Sequence, residues 1–267
     1  MTRPDTRTAT RAASRRRLDH LATYVAAVGL ALVTWQVLAV PLDLRFYLST
    51  PLEVWAVLVD WFSTGSIWIH IWSSLYATIV GFLLGGIAGV SVALALYRSP
   101  VAEAAVSPYF TAAFALPKAA LAPMLILWFG IGAGPKIALG TIVGAFLFYH
   151  YVLEGLKDVP LDMIDAVRVM GASDSVIRNR ILLPAARASL VYAAQISLPK
   201  VFTAVIVGEV IGSNRGLGQL ARFYAARFQA RYVFAAILIM VIVSVALYYA
   251  LGRFTAPGGE KLQMTGE

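Results

Sequence analysis

Residues 69–97 contain no Asp, Glu, Lys or Arg. A helix crosses the hydrocarbon core of a bilayer with about 20 consecutive apolar residues, and this run is longer than that. Five further apolar runs follow the same pattern, at 21–40, 104–131, 135–153, 186–211 and 232–251. Only 13% of the 267 residues are charged and 60% are hydrophobic, where soluble domains carry about 25% charge. That excludes a water-soluble enzyme, and the hydrophobicity excludes intrinsic disorder. The chain reads as an all-α, polytopic membrane protein with six transmembrane helices.

Charge placement orients it. Six arginines (Arg3, Arg7, Arg11, Arg15, Arg16 and Arg17) precede the first run. That run is long for a signal peptide and lacks a small-residue cleavage site, so it reads as an uncleaved span. Lys and Arg collect in cytoplasmic loops. An even span count with a basic start then puts both termini in the cytoplasm. The organisation expected is a basic tail over 1–19, a six-span domain over 20–254 and a polar tail over 255–267. The net charge of +8 is mostly topological, so nucleic acid is not implied. Arg215, Arg222, Arg227 and Arg231 fall on the outer side and weaken the rule locally; they could face an acidic partner or simply solvent. No cysteine exists, and His20, His70 and His150 are far apart without an H-E-x-x-H pair, so no catalytic or metal site is expected.

Local devices are also legible. Thr50-Pro51-Leu52-Glu53 has the capping-box pattern with proline at the first helical position. A short helix follows, with Leu52, Trp55, Ala56 and Val59 at helical spacing, expected to lie on the membrane surface. Trp55, Trp61, Trp68 and Trp72 suit an interfacial belt. Gly81, Gly85 and Gly89 repeat every four residues, which lets a partner helix approach closely, either within one subunit or across a dimer.

The stretch 154–185 interrupts the apolar pattern with many charges. Pro160 can open a helix carrying Asp162 and Asp165 beside an apolar side of Met163, Ala166, Val167 and Met170. Gly171 can end it. Ser173 can cap a second short helix reaching about Leu182, with Pro184 as its stop. An ordered cytoplasmic insert of this kind either docks into a groove on another protein or lies on its own bundle.

The run Asp165-Ala166-Val167-Arg168-Val169-Met170-Gly171-Ala172-Ser173, followed by Leu183-Pro184, resembles the EAA loop of binding-protein-dependent ABC importer permeases. That pattern has Glu and Ala where this chain has Asp165 and Val167. Leu116-Pro117-Lys118-Ala119-Ala120-Leu121-Ala122-Pro123, then Leu127-Trp128-Phe129-Gly130-Ile131-Gly132, is similar to the nitrate/sulfonate/taurine branch. Glu209 followed by Gly216-Leu217-Gly218 is similar to the same branch. The resemblance covers nearly the whole chain and implies a type I ABC importer permease fold. It implies a 160–184 coupling insert in which Asp162, Asp165, Ala166, Arg168, Met170, Gly171, Ala172 and Ser173 meet the ATPase. Two ATPase subunits, a second permease subunit (a copy of this one) and an external solute-binding protein are the implied partners in a bacterial inner membrane. The chain has no Gly-Lys dipeptide and hence no Walker A loop. ATP and magnesium therefore belong to the partner, and no cofactor is expected here.

Two lysines stand mid-span in Leu-Pro-Lys triplets: Lys118 and Lys200. A charge at a helix centre costs about 2.5–3.5 kcal/mol on insertion scales, so it usually faces a cavity or partner. Lys118 and Lys200, with Gln195 and Glu209, are the candidate pathway residues. Glu209 has a second reading, orienting the Gly216–Gly218 segment. The expected solute is small and anionic or acceptor-rich, such as a sulfonate or nitrate. A neutral heterocycle such as a vitamin precursor is the alternative. An ATP-independent carrier would show repeats or paired broken helices, and only the two triplets repeat.

Overall fold

A computed structural model describes residues 29–38, 49–97, 99–115 and 117–255, with positions 23, 26 and 27. The 1–19 and 256–267 tails lie outside the described residues. Every regular element among the described residues is helical: α1 (Gly29–Leu38), α2 (Pro51–Ser63), α3 (Trp68–Tyr97), α4 (Pro100–Ala115), α5 (Lys118–Phe129), α6 (Ala133–Lys157), α7 (Leu161–Val169), α8 (Asp174–Ile177), a π-helical turn (Arg178–Leu182), α9 (Leu183–Gly212), α10 (Leu217–Ala225) and α11 (Ala230–Thr255).

Four segments are long and apolar enough to cross a membrane: Trp68–Tyr97, Ala133–Lys157, Ala186–Gly212 and Ala230–Arg253. The run 104–131 was expected as one span and is instead two helices, α4 and α5. The break falls at the first Leu-Pro-Lys triplet, where Pro117 is extended at φ −66°, ψ 102°. Proline drives the residue before it out of the helical region. The second triplet behaves differently, with Pro199 inside an uninterrupted α9. Helix α9 is packed by α3, α5, α6, α10 and α11, whereas α4 rests mainly on α3 and α6. Surrounding helices hold α9 together through its proline.

The centre of the bundle is α6, pressed between α3 and α9. Small residues make this possible. A β-carbon at Gly85 would lie 2.7 Å from the Thr141 carbonyl oxygen and 2.9 Å from Gly144 Cα, and Gly81 and Gly89 face Gly140 and Ala145 in the same way. The other side of α6 turns Gly140 and Gly144 onto Val205 and Val201 of α9. The glycine stripe thus closes a contact within one chain.

At one end, α2 carries the capping box: Glu53 N–H donates to Thr50 Oγ1 at 3.3 Å, and Thr50 N–H donates to Glu53 Oε2 at 3.1 Å. Both sides of α2 are apolar. Val54, Val57, Leu58 and Trp61 are buried in the bundle, while Leu52, Trp55, Val59 and Phe62 are exposed. Trp61 therefore leaves the expected belt; its ring sits 5.8 Å from those of Tyr224 and Tyr232. Trp55, Trp68 and Trp72 remain exposed.

At the opposite end, Ile164, Ile177 and Leu182 bury against Leu156 and Val159, tying the 160–184 insert to the bundle. The second short helix is α-helical over Asp174–Ile177 and continues as the π-helical turn to Leu182, its expected end. Pro184, expected as its stop, lies in the first turn of α9. The helical run passes through it without a break, because the π-helical turn leads directly into α9.

Candidate functional site

The insert is built from a nine-residue helix and a glycine corner. Asp162 stands in the first turn of α7, where a negative charge meets the positive helix end. Arg168 Nη1 donates to Asp165 Oδ1 at 3.0 Å, and its other nitrogen lies 3.9 Å from Asp174. Gly171 has φ +85°, a conformation that L side chains adopt with strain. It lets Ala172 N–H reach back to the Val167 carbonyl at 3.2 Å. Ser173 occupies the N-cap position of α8, but its Oγ meets Ser175 Oγ at 2.9 Å and leaves the backbone uncapped. The apolar side divides. Ile164 is buried, whereas Met163 and Ala166 are exposed, and Val169 and Met170 are 88% and 84% exposed. The result is an exposed apolar tip edged by Asp162, Asp165 and Arg168.

Among the described residues, Lys200, Gln195 and Glu209 are not brought together. The Lys118 side chain lies outside the described residues. Lys200 is exposed near the middle of the Ala186–Gly212 span. No hydrogen bond or ion pair ties it among the described residues. Tyr192, Lys200, Thr203 and Val210 are all exposed and follow a helical stripe down α9. Lys200 also edges a cavity of about 410 Å³ shared with Phe110, Phe146, Tyr149, His150 and Lys157. Gln195 points elsewhere: a β-carbon on Gly252 of α11 would lie 2.8 Å from its Nε2.

Glu209 does not face an open path. It is completely buried, and Lys136 Nζ donates to its Oε1 at 2.9 Å. Ser74 Oγ lies 2.8 and 2.9 Å from the two carboxylate oxygens, and Gly218 N–H donates to Oε2 at 2.9 Å. Helix α6 begins at Ala133, so Lys136 is in its first turn and 2% exposed. The available signal was one lysine and one glutamate, each near the end of its own apolar run, in a chain with few charges. A second ion pair, at the opposite end of α6, joins Lys157 to Glu103 at 2.5 Å.

Residues 81–258 match the family described as binding-protein-dependent transport system inner membrane component. The chain belongs to that family. The permease is 31% identical over 225 residues to a probable ABC transporter permease protein of Haemophilus influenzae, covering 84% of this chain and 91% of the relative. It is 26% identical to the formylaminopyrimidine transport permease protein ThiX of Halalkalibacterium halodurans, over 83% of this chain and 88% of the relative. It is also 26% identical to a putative aliphatic sulfonates transport permease protein, SsuC, of Bacillus subtilis, over 73% and 71% of the two chains. Its architecture is similar to the MetNI methionine ABC transporter in inward-facing conformations. The TM-score is 0.63 at 26% identity, over 72% of this chain and 96% of that one. This is the type I importer permease fold in an inner membrane component, a transport subunit rather than an enzyme. Family membership brings an ATPase and a binding protein as its partners.

Proposed function

We propose that this permease lines the route of a small, anionic or acceptor-rich solute. An external binding protein delivers the solute, and a separate ATPase seated on the 160–184 insert drives its entry. Lys200 is the observation that carries this reading. It is a free cation halfway along a membrane-spanning helix, on an open stripe beside a polar-aromatic cavity. Lipid penalises a charge at that depth. A water-filled path shared with a second subunit removes the penalty and gives the charge something to attract. A second copy of the chain would bring a second Lys200 to the same axis. Relatives named for sulfonates support the anionic class. The neutral heterocycle is supported by a relative named for formylaminopyrimidine and by the Phe110, Phe146 and Tyr149 walls of the cavity.

In proteoliposomes holding permease, ATPase and the cognate binding protein, Lys200→Met is expected to lower solute uptake at least about tenfold, the effect of roughly 1.4 kcal/mol. Uptake at the unsubstituted level would remove Lys200 from the pathway and favour a neutral solute.

Six spans with both termini in the cytoplasm complete the proposal, with α1 completing the first and α4–α5 together forming the third. The absence of native cysteine makes a clean test possible. A membrane-impermeant maleimide should label Asn214→Cys in intact cells and leave Ser175→Cys unlabelled until the cells are opened. The reverse pattern would invert the topology.

A further inference from the structure

At the end of the bundle that carries α2, three helices converge on four consecutive backbone residues. Lys136 Nζ donates to the Arg215 carbonyl at 3.1 Å, besides its bonds to Ser73 Oγ at 2.7 Å and to Glu209. His70 Nδ1 lies 3.3 Å from the Gly216 nitrogen. Leu217 N–H donates to Ser74 Oγ, and Gly218 N–H to Glu209 Oε2, both at 2.9 Å. Gly216 has φ +130°, and a β-carbon there would fall inside the Glu209 carboxylate. The segment fits the charge cluster so closely that only glycine passes.

Two of these amides begin α10. The Glu209 carboxylate thus takes one of the helix's free N-terminal donors and sets a negative charge against its positive end. A buried ion pair is weak evidence for stability, because replacing one by apolar residues is often neutral or stabilising. What apolar residues cannot do is grip amides and carbonyls in one direction. The cluster therefore fixes the angle at which α10 leaves α9.

Helix α10 turns Leu217 and Leu220 inward and leaves Arg222 and Phe223 exposed, with Arg227 just beyond it. The Arg227 guanidinium stacks over the Phe223 ring at 3.5 Å and donates to the Phe223 carbonyl at 3.1 Å. Cations are disfavoured on this side of a membrane protein, so topology does not account for them. A rigid aromatic flanked by arginines is the composition of an interface centre.

We propose that Lys136 and Glu209 are positioning residues for delivery. They hold α10 so that Arg222, Phe223 and Arg227 meet an acidic face of the external binding protein. This rests on the outward placement proposed above, which labelling at Asn214→Cys tests separately. The experiment is binding-protein-stimulated ATP hydrolysis in proteoliposomes, titrated with the cognate binding protein. Arg222→Glu with Arg227→Glu should raise the half-saturating concentration at least about tenfold and abolish its dependence on salt. Lys136→Met with Glu209→Leu should raise it similarly, although neither residue touches the partner. A merely structural role would lower the maximal rate through lost protein and leave half-saturation unmoved. If the double variant fails to reach the membrane, Ser74→Ala, which removes the Oγ bonds to Leu217 N–H and to the Glu209 carboxylate but leaves the ion pair in place, should still shift half-saturation about threefold. Unmoved half-saturation in the arginine variant overturns the docking surface. Unmoved half-saturation in both Lys136→Met/Glu209→Leu and Ser74→Ala overturns the positioning role.

Discussion

Gly85→Val is expected to leave almost no folded permease in the membrane. A β-carbon at this position meets Thr141 O at 2.7 Å, Ala145 N at 2.8 Å and Gly144 Cα at 2.9 Å. All three are backbone atoms of α6, so no side chain can turn away. Overpacking a close-packed core commonly costs about 1–3 kcal/mol. A valine against immovable backbone should exceed that range and consume much of a stability of about 5–15 kcal/mol. Monodisperse yield after detergent extraction, with a thermal melt, reads the effect. Gly86→Ala is the matched control. Its nearest neighbour is the edge of the Phe148 ring at 3.3 Å, which can shift. Helix propensity favours alanine over glycine by about 1 kcal/mol, so this variant should melt near the unsubstituted protein. Equal loss from both substitutions would mean that the α3–α6 approach is not set by the glycine stripe.

The second large effect lies at the other end of the molecule. Val169→Asp with Met170→Asp should abolish copurification of the ATPase and ATP-driven uptake, while the permease still reaches the membrane. Both side chains are more than four-fifths exposed in the single chain, and exposed substitutions usually change stability by no more than about 0.5 kcal/mol. Within a docked interface, each carboxylate would lose its water. Truncating an interface anchor costs about 2 kcal/mol or more. Two such losses weaken the complex roughly a thousandfold. An ATPase that still copurifies would show that the tip of the insert is not its seat.

The parts that were legible in the sequence are those governed by neighbours along the chain. Thr50 and Glu53 are three residues apart and their cap forms as read. The period of four in Gly81, Gly85 and Gly89 places them on one face whatever that face meets. The runs at 69–97, 135–153, 186–211 and 232–251 became single helices within a few residues of their expected ends. What escaped depends on distant partners. Lys136 and Glu209 are 73 positions apart, and no local rule pairs them. The Pro117 and Pro199 triplets are identical in sequence, and only the packing around α9 separates a broken helix from a continuous one. Trp61 and Trp55 look alike in a periodicity analysis, and the side facing Tyr224 and Tyr232 was decided by α10 and α11. Pro184 reads equally well as a stop or a start, and the π-helical turn before it settled the matter.

That turn has a mechanical consequence. Because Arg178–Leu182 runs straight into α9, no slack loop separates the insert from α9, which with α3 is the longest helix among the described residues. Thirty helical residues extend roughly 45 Å at 1.5 Å each. A tilt of about 5° at the inner end, with a pivot there, would carry the outer end roughly 4 Å sideways. Glu209 sits three residues from that outer end, gripping Gly218. Movement that crosses the corner at Gly171 would therefore pass from Asp174 to the far end of α9 without a further joint, and the stroke would be scaled by helix length.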